Sequence, residues 1–155
     1  MTGEAASTDD FAAPAGRCTA GDDADRLADQ VLQLVNLERA EAGLTPVVRN
    51  TALSKMAGEY ACRMIEGAFF GHKDAASGAG PLERAISSRY SFHAIGENLA
   101  AGQETAAEVM KVWMESPSHR DIILDPLWKD AGIAVRLGGE YAIYWVQEFG
   151  NPADF

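Results

Sequence analysis

Long apolar runs are missing from this chain. None approaches the ~18 residues that a helix needs to cross a bilayer, so no transmembrane segment is expected. Clustered basic residues are missing too: 13 Lys and Arg face 23 Asp and Glu, a formal net charge of −10. That balance argues against nucleic acid, which rewards dense positive charge, and against electrostatic docking on anionic lipid. It reads as a solubilising surface. Standard catalytic signatures are absent: no H-E-x-x-H, no G-x-S-x-G, no Walker loop and no C-x-x-C. The opening MTGEAASTDD has no basic start and no apolar core, so no secretion signal is visible.

Cysteine is scarce: there are two, Cys18 and Cys62. Two free thiols would suit a cytosolic protein. A Cys18–Cys62 disulfide is the preferred expectation. Cys18 lies in a polar Gly/Ala/Asp-rich arm, where an unpaired thiol has no packing role, and a bridge would tie that arm to the body. Such a bridge implies an oxidising compartment. The protein is then expected to be secreted, periplasmic or extracellular, its leader already removed. Bonded cysteines also exclude a Cys–His nucleophile.

What is present suits one globular domain: 155 residues, of which 47% are apolar. Residues 1–24 show no periodicity and read as a flexible arm, with the domain spanning 25–155. Leu27, Val31, Leu34 and Val35 recur at helical spacing. Gly43 and Pro46 stop that helix. Asn50 is a candidate N-cap for a second helix carrying Leu53, Met56, Ala57, Tyr60 and Met64, which Gly67 ends.

Phe69 to Pro81 reads as a Gly/Ala-rich loop closed by a proline that opens a short helix. A brief apolar run follows around Ile95. Thr105 and Glu108 form a capping box. Near the C-terminus the period changes. Gly132 to Leu137 and Glu140 to Phe149 are strand-like runs flanking Gly138-Gly139, a two-residue hairpin signal. Tyr141, Ile143, Trp145 and Phe149 face one way; Ala142, Tyr144 and Val146 face the other. Both faces are apolar, which predicts a covered strand. Helices first and a hairpin last give an α+β fold, layered helix–sheet–helix.

In WMESPSHRDIIL, Glu115 and His119 are separated by Ser116-Pro117-Ser118. Pro117 lacks an N–H and biases Ser116 away from the α region, so one helix must stop and another start between acid and histidine. Ser116 reads as the N-cap of the new helix, with Pro117 at its first position. His72 lies in the aromatic-glycine loop, and Glu97 stands between Gly96 and Asn98 in an apolar stretch, where an acid needs a partner.

These pieces carry a resemblance. Val35-Asn36-Leu37-Glu38-Arg39 with Gly43-Leu44-Thr45-Pro46, Phe70-Gly71-His72, Gly96-Glu97-Asn98-Leu99-Ala100, Trp113 to Arg120, Gly132-Ile133 and Tyr144 to Gly150 stand in order. Over residues 27–150 the chain resembles a CAP-superfamily domain (cysteine-rich secretory, antigen and pathogenesis-related proteins) of the bacterial extracellular branch. The resemblance implies a three-layer α-β-α sandwich with a central antiparallel sheet. It also implies a cleft lined by His72 and His119 as metal ligands, with Glu97 and Glu115 as cleft acids. Bacterial relatives often lack the acid at the position of Glu115; this chain retains it. It departs from the family's H-R-x-N-I-L at Ile122, which replaces a polar side chain. Asn36, Arg39, Asn98 and Ser116 are read as structural, and His93 has no counterpart.

Three functions are open at this point. The cleft binds zinc or another divalent cation; or it belongs to a module for a small apolar ligand such as a sterol or lipid; or the domain is a non-catalytic scaffold contacting a cell-envelope component. No catalytic residue is assigned, and enzymatic activity is left open.

Overall fold

The computed structural model describes residues 17–154. The first element is helix α1, Ala24–Glu41, which buries Ala24, Ala28, Val31, Val35 and Arg39 along one face. A two-residue strand β1, Val48–Arg49, follows. Helix α2 spans Thr51–Gly67, started by Asn50, whose side-chain oxygen accepts from the Leu53 N–H at 3.0 Å. Helix α3 is Pro81–Ser87, strand β2 is Phe92–Ala101 and helix α4 is Ala106–Glu115. Helix α5, Pro117–Ile123, then leads into strands β3, Asp130–Leu137, and β4, Ile143–Pro152.

The fold is α+β, with helices on both faces of a four-stranded sheet in the order β1-β3-β4-β2. β3 and β4 pair antiparallel, as do β4 and β2; the short β1 runs parallel to β3. Alternation sorts the sheet's side chains. Ile133, Val135, Trp145 and Phe149 pack with α1 and α4 in one core. Ala134, Tyr144, Val146 and Leu99 pack with α2 in another. This is the strand covered on both faces that the sequence pattern predicts. Helix α2 lies tight on the sheet at Gly132, where a Cβ would stand 2.2 Å from the backbone of Leu53 and Ser54.

Four local expectations change. The β3–β4 connection is longer than a two-residue hairpin: residues 138–142 form it, closed by Gly138 N–H donating to the Ala142 carbonyl at 2.9 Å. Here Gly138 passes against the Arg17 backbone, and Ala142 adopts φ 70°, so pairing resumes only at Ile143. Gly67 is the last residue of α2 rather than its stop; Ala68 takes the left-handed position. The run around Ile95 is a ten-residue strand, β2, whose alternation is masked because Glu97, Asn98, Leu99 and Ala100 are all buried. Ser116 occupies the N-cap position of α5, but its hydroxyl makes no cap hydrogen bond.

The cysteines are joined. Cys18 and Cys62 form a disulfide with a Cα–Cα distance of 5.3 Å. Thr19 and Leu137 exchange backbone hydrogen bonds of 3.0 and 2.8 Å, fixing residues just after Cys18 to the end of β3. Most of the expected flexible arm, residues 1–16, lies outside the described residues. No helix among the described residues is long and apolar enough to cross a membrane.

Candidate functional site: an acid pair and two histidines at an outer strand

β2 is the outer strand of the sheet, and its successive side chains point to opposite faces. Glu97 shares a face with Leu99, on the α2 side; Asn98 points the other way. On β4, Glu148 and Gln147 stand directly opposite them in register. All four are buried, Glu97 at 4% exposure and Glu148 at 0%. Two buried carboxylates facing each other repel unless a proton or a cation intervenes.

Arg84, from α3, is the cation. Its Nη1 lies 2.6 Å from Glu97 Oε2 and 3.4 Å from Glu148 Oε2, and its Nη2 donates to the His72 carbonyl at 2.6 Å. The guanidinium lies 3.3 Å above the Tyr60 ring, a cation–π contact. Tyr60 donates its hydroxyl hydrogen to the Gly71 carbonyl, and burial pushes its phenol up to about 12. The loop that carries His72 is thus held from below by Tyr60 and Arg84.

Asp74 secures the far side of the same loop. It accepts from Arg63 Nε at 2.7 Å and from the Ala76 and Ser77 N–H groups at 2.8 and 3.2 Å.

Of the two acids, Glu148 is the one whose surroundings favour the proton. Complete burial, reinforced by the adjoining Glu97, pushes its carboxyl well above the ordinary range, with Arg84 opposing. Burial also pushes Glu97 up, but hydrogen bonds from Glu148, His72 and Arg84 outweigh it and hold the group at about 2. A neutral Glu148 supplies the donor that two ionised carboxylates would lack.

His72 Nδ1 lies 2.8 Å from Glu97 Oε1. Glu97 is ionised and can only accept, so Nδ1 carries the hydrogen and Nε2 is the ring's free nitrogen. His119 sits on the other side of β2. Its backbone carbonyl accepts from Asn98 Nδ2 at 3.2 Å, and its Nδ1 lies 2.8 Å from Ser116 Oγ. Burial, reinforced by the proximity of His72, pushes His119 below its ordinary value, which favours the neutral ring.

The structure therefore brings His72, Glu97 and His119 to one outer strand. Glu115 stands apart. Its side chain is 66% exposed and 4.0 Å from Lys111 Nζ, one turn earlier on α4. It makes no hydrogen bond or ion pair with the other three among the described residues. The cause is the break at Ser116: with φ −99° and ψ 117°, the chain turns before Pro117, so Glu115 keeps the outward direction of α4 while His119 follows α5.

Asn36 exchanges two hydrogen bonds with the Val47 backbone, at 3.0 and 2.8 Å. Arg39 is fully buried and donates to the carbonyls of Thr45, Ile123 and Asp125 at 2.8–2.9 Å. Ile122 packs at Gly96 beside Trp128, whose indole N–H donates to the Ile122 carbonyl. His93 is on the surface, 4.0 Å from Asp154.

Sequence reasoning missed Arg84, Tyr60 and Glu148. The adjacent polar pair Gln147-Glu148 inside an apolar strand was a usable signal for Glu148, the same one that singled out Glu97. Nothing in the α3 pattern separates Arg84 from an ordinary surface arginine.

The chain belongs to the Cysteine-rich secretory protein family (CAP), whose model matches residues 32–149. It is 35% identical over 120 residues to the protein YkwD of Bacillus subtilis (strain 168), covering 77% of this chain and 45% of that protein. The chain thus spans less than half the length of that relative. Among solved structures, it is similar to an outer surface protein from Borrelia burgdorferi, with TM-score 0.79 and 23% identity over 89% of this chain and 99% of that one. It is also similar to an extracellular protein containing a SCP domain from Bacillus anthracis str. Ames, with TM-score 0.74 and 21% identity over 82% and 41% of the two chains. At these identities the structural likenesses establish the fold.

Proposed function

We propose that this is an extracellular or cell-envelope domain that binds a divalent cation, zinc or a similar ion, through Nε2 of His72 and of His119. One observation carries the reading: each ring has its Nδ1 engaged by an oxygen, Glu97 Oε1 for His72 and Ser116 Oγ for His119, both at 2.8 Å. A metal-ligating histidine characteristically donates its other N–H to such a partner, which fixes the tautomer and ring orientation. The depressed basicity of His119 supports it, since ligation needs a neutral ring.

The donor set fits an open site. Among the described residues no group of three or more His, Cys, Asp and Glu is arranged to hold an ion. Glu97 is committed to Arg84 and Glu148. Two imidazoles would therefore be the protein's contribution, with solvent completing the shell. When bound, the ion would supply a Lewis acid and an acidified water; His72 and His119 would hold it, and Glu97 would keep His72 in the ligating tautomer. The oxidising compartment is supported by the disulfide and by the names of the structural neighbours.

Calorimetric titration with zinc near neutral pH tests the reading. Wild type should bind, and His72→Ala or His119→Ala should largely abolish the heat, while His93→Ala should not. Equal binding by all four proteins would remove it.

A second reading, a small apolar ligand, is favoured by one feature. Phe70, two residues before His72, and Tyr141 are 48% and 49% exposed, and their rings pack with each other and with Tyr144. Lipid extraction by wild type, lost in a Phe70→Ser variant, would favour it.

A further inference from the structure

A groove of about 910 Å³ among the described residues is not lined by either cleft histidine. It runs between α2, the 74–79 loop and α3, with Arg136 from β3 at one end. On a chain of net charge −10, its wall carries Lys55, Arg63, Arg84, Arg89 and Arg136 against only Glu59 and Asp74. Three of these cations have acidic partners. Arg63 is held by Asp74 at 2.7 Å, Arg84 by Glu97 at 2.6 Å, and Lys55 lies 4.0 Å from Glu59. Among the described residues, Arg89 and Arg136 have none.

Both arginines are placed at a conformational cost. Arg89 adopts φ 61° just past the end of α3, a position that favours glycine. Arg136 lies against α2 at Gly58, where a Cβ would come within 2.5 Å of its Nη2. A glycine inside a helix is unfavourable, and here it makes the space in which the guanidinium rests. Arg136 Nη1 donates to its neighbour's carbonyl, Val135 O, at 2.8 Å, which leaves other donors of the fork uncommitted.

We propose that this groove is an oxyanion site, in which Arg89 and Arg136 grip the phosphate groups of a multiply charged ligand. Guanidinium forks match tetrahedral oxyanions bidentately. The groove's local excess of positive charge concentrates such ligands despite the acidic surface around it. Phosphate could be presented by a soluble or polymeric ester or by a lipid headgroup. The overall negative charge disfavours a membrane, so the soluble form is the expected one.

Titration of the full chain with inorganic tripolyphosphate, in the presence of a chelator, tests this without involving the histidine cleft. Wild type should bind, more weakly as salt rises. Arg89→Gln and Arg136→Gln should each weaken binding about tenfold or more, and His93→Ala, on the surface outside the groove, should leave it unchanged. Lys55→Gln, a side chain 74% exposed, should give a smaller loss and keeps the test open should an arginine variant misfold. Phosphatidylglycerol vesicles provide the second arm: co-sedimentation lost in the same arginine variants would support the same chemistry with a headgroup as its source. If wild type binds neither probe, or if folded arginine variants bind like wild type, the proposal is overturned.

Discussion

Glu97 and Glu148 stand opposite each other on β2 and β4, both buried, and share one proton and one arginine. Their environments separate them: Glu97 is the ionised member and orients His72, while Glu148 is the neutral donor behind it. The pair is therefore the support on which the ligating tautomer of His72 rests.

The two acids should respond oppositely to replacement by glutamine. Glu148→Gln keeps a donor directed at Glu97 and should be tolerated. Glu97→Gln deprives Arg84 and His72 of their anion and should cost about 3 kcal/mol or more, as breaking a buried ion pair does. Urea denaturation of both variants measures this. Comparable losses would contradict the assignment of the proton.

The acid pair also sets a pH signature. The Glu97 carboxyl is depressed to about 2, so its contribution is present above the ordinary carboxylate range and lost as pH falls toward 2. Glu148 is raised, so the folded state holds a proton that the unfolded chain releases above about pH 4.3. Its effect is a stability that falls as pH rises, by at most about 1.4 kcal/mol per unit. Denaturation midpoints between pH 5 and 8 should fall less steeply in Glu148→Gln than in wild type. An unchanged slope would refute the neutral Glu148.

Ser116→Ala separates a cap from a positioning role. Its hydroxyl makes no cap hydrogen bond and meets His119 instead. Stability should drop by less than about 1 kcal/mol, while zinc affinity falls about 10- to 100-fold, as loss of a ligand's supporting contact typically does. A large stability loss with unchanged affinity would restore the capping role.

Reducing the disulfide should destabilise the fold by about 4 kcal/mol in the chain-entropy model for a separation of 44 residues. Denaturation with and without reductant checks it; midpoints that coincide would show that the bridge constrains little.

Much of the architecture was legible because its signals are local. Asn50, the Thr105–Glu108 box and Pro117 each act within one turn of helix, and each marks an element boundary seen in the structure. β2 was not legible as a strand, because burial on both faces erases alternation. In the site, His72 and Glu97 stood out as polar residues in loop and apolar contexts. Arg84 did not: what distinguishes it is the meeting of α3 with β2 and β4, a relation between distant segments. Glu115 shows the converse. Its sequence neighbourhood groups it with His119, but the chain turns at Ser116 and the two side chains part.

The central claim is that Nε2 of His72 and Nε2 of His119 hold one divalent ion. The most direct measurement is anomalous diffraction at the zinc edge from crystals of the protein grown with zinc. The account predicts a single strong peak bonded to both Nε2 atoms, with Glu97 on the Nδ1 side of His72 and Glu115 outside the shell. A peak on only one histidine, one that includes Glu115, or none at the outer strand would contradict it.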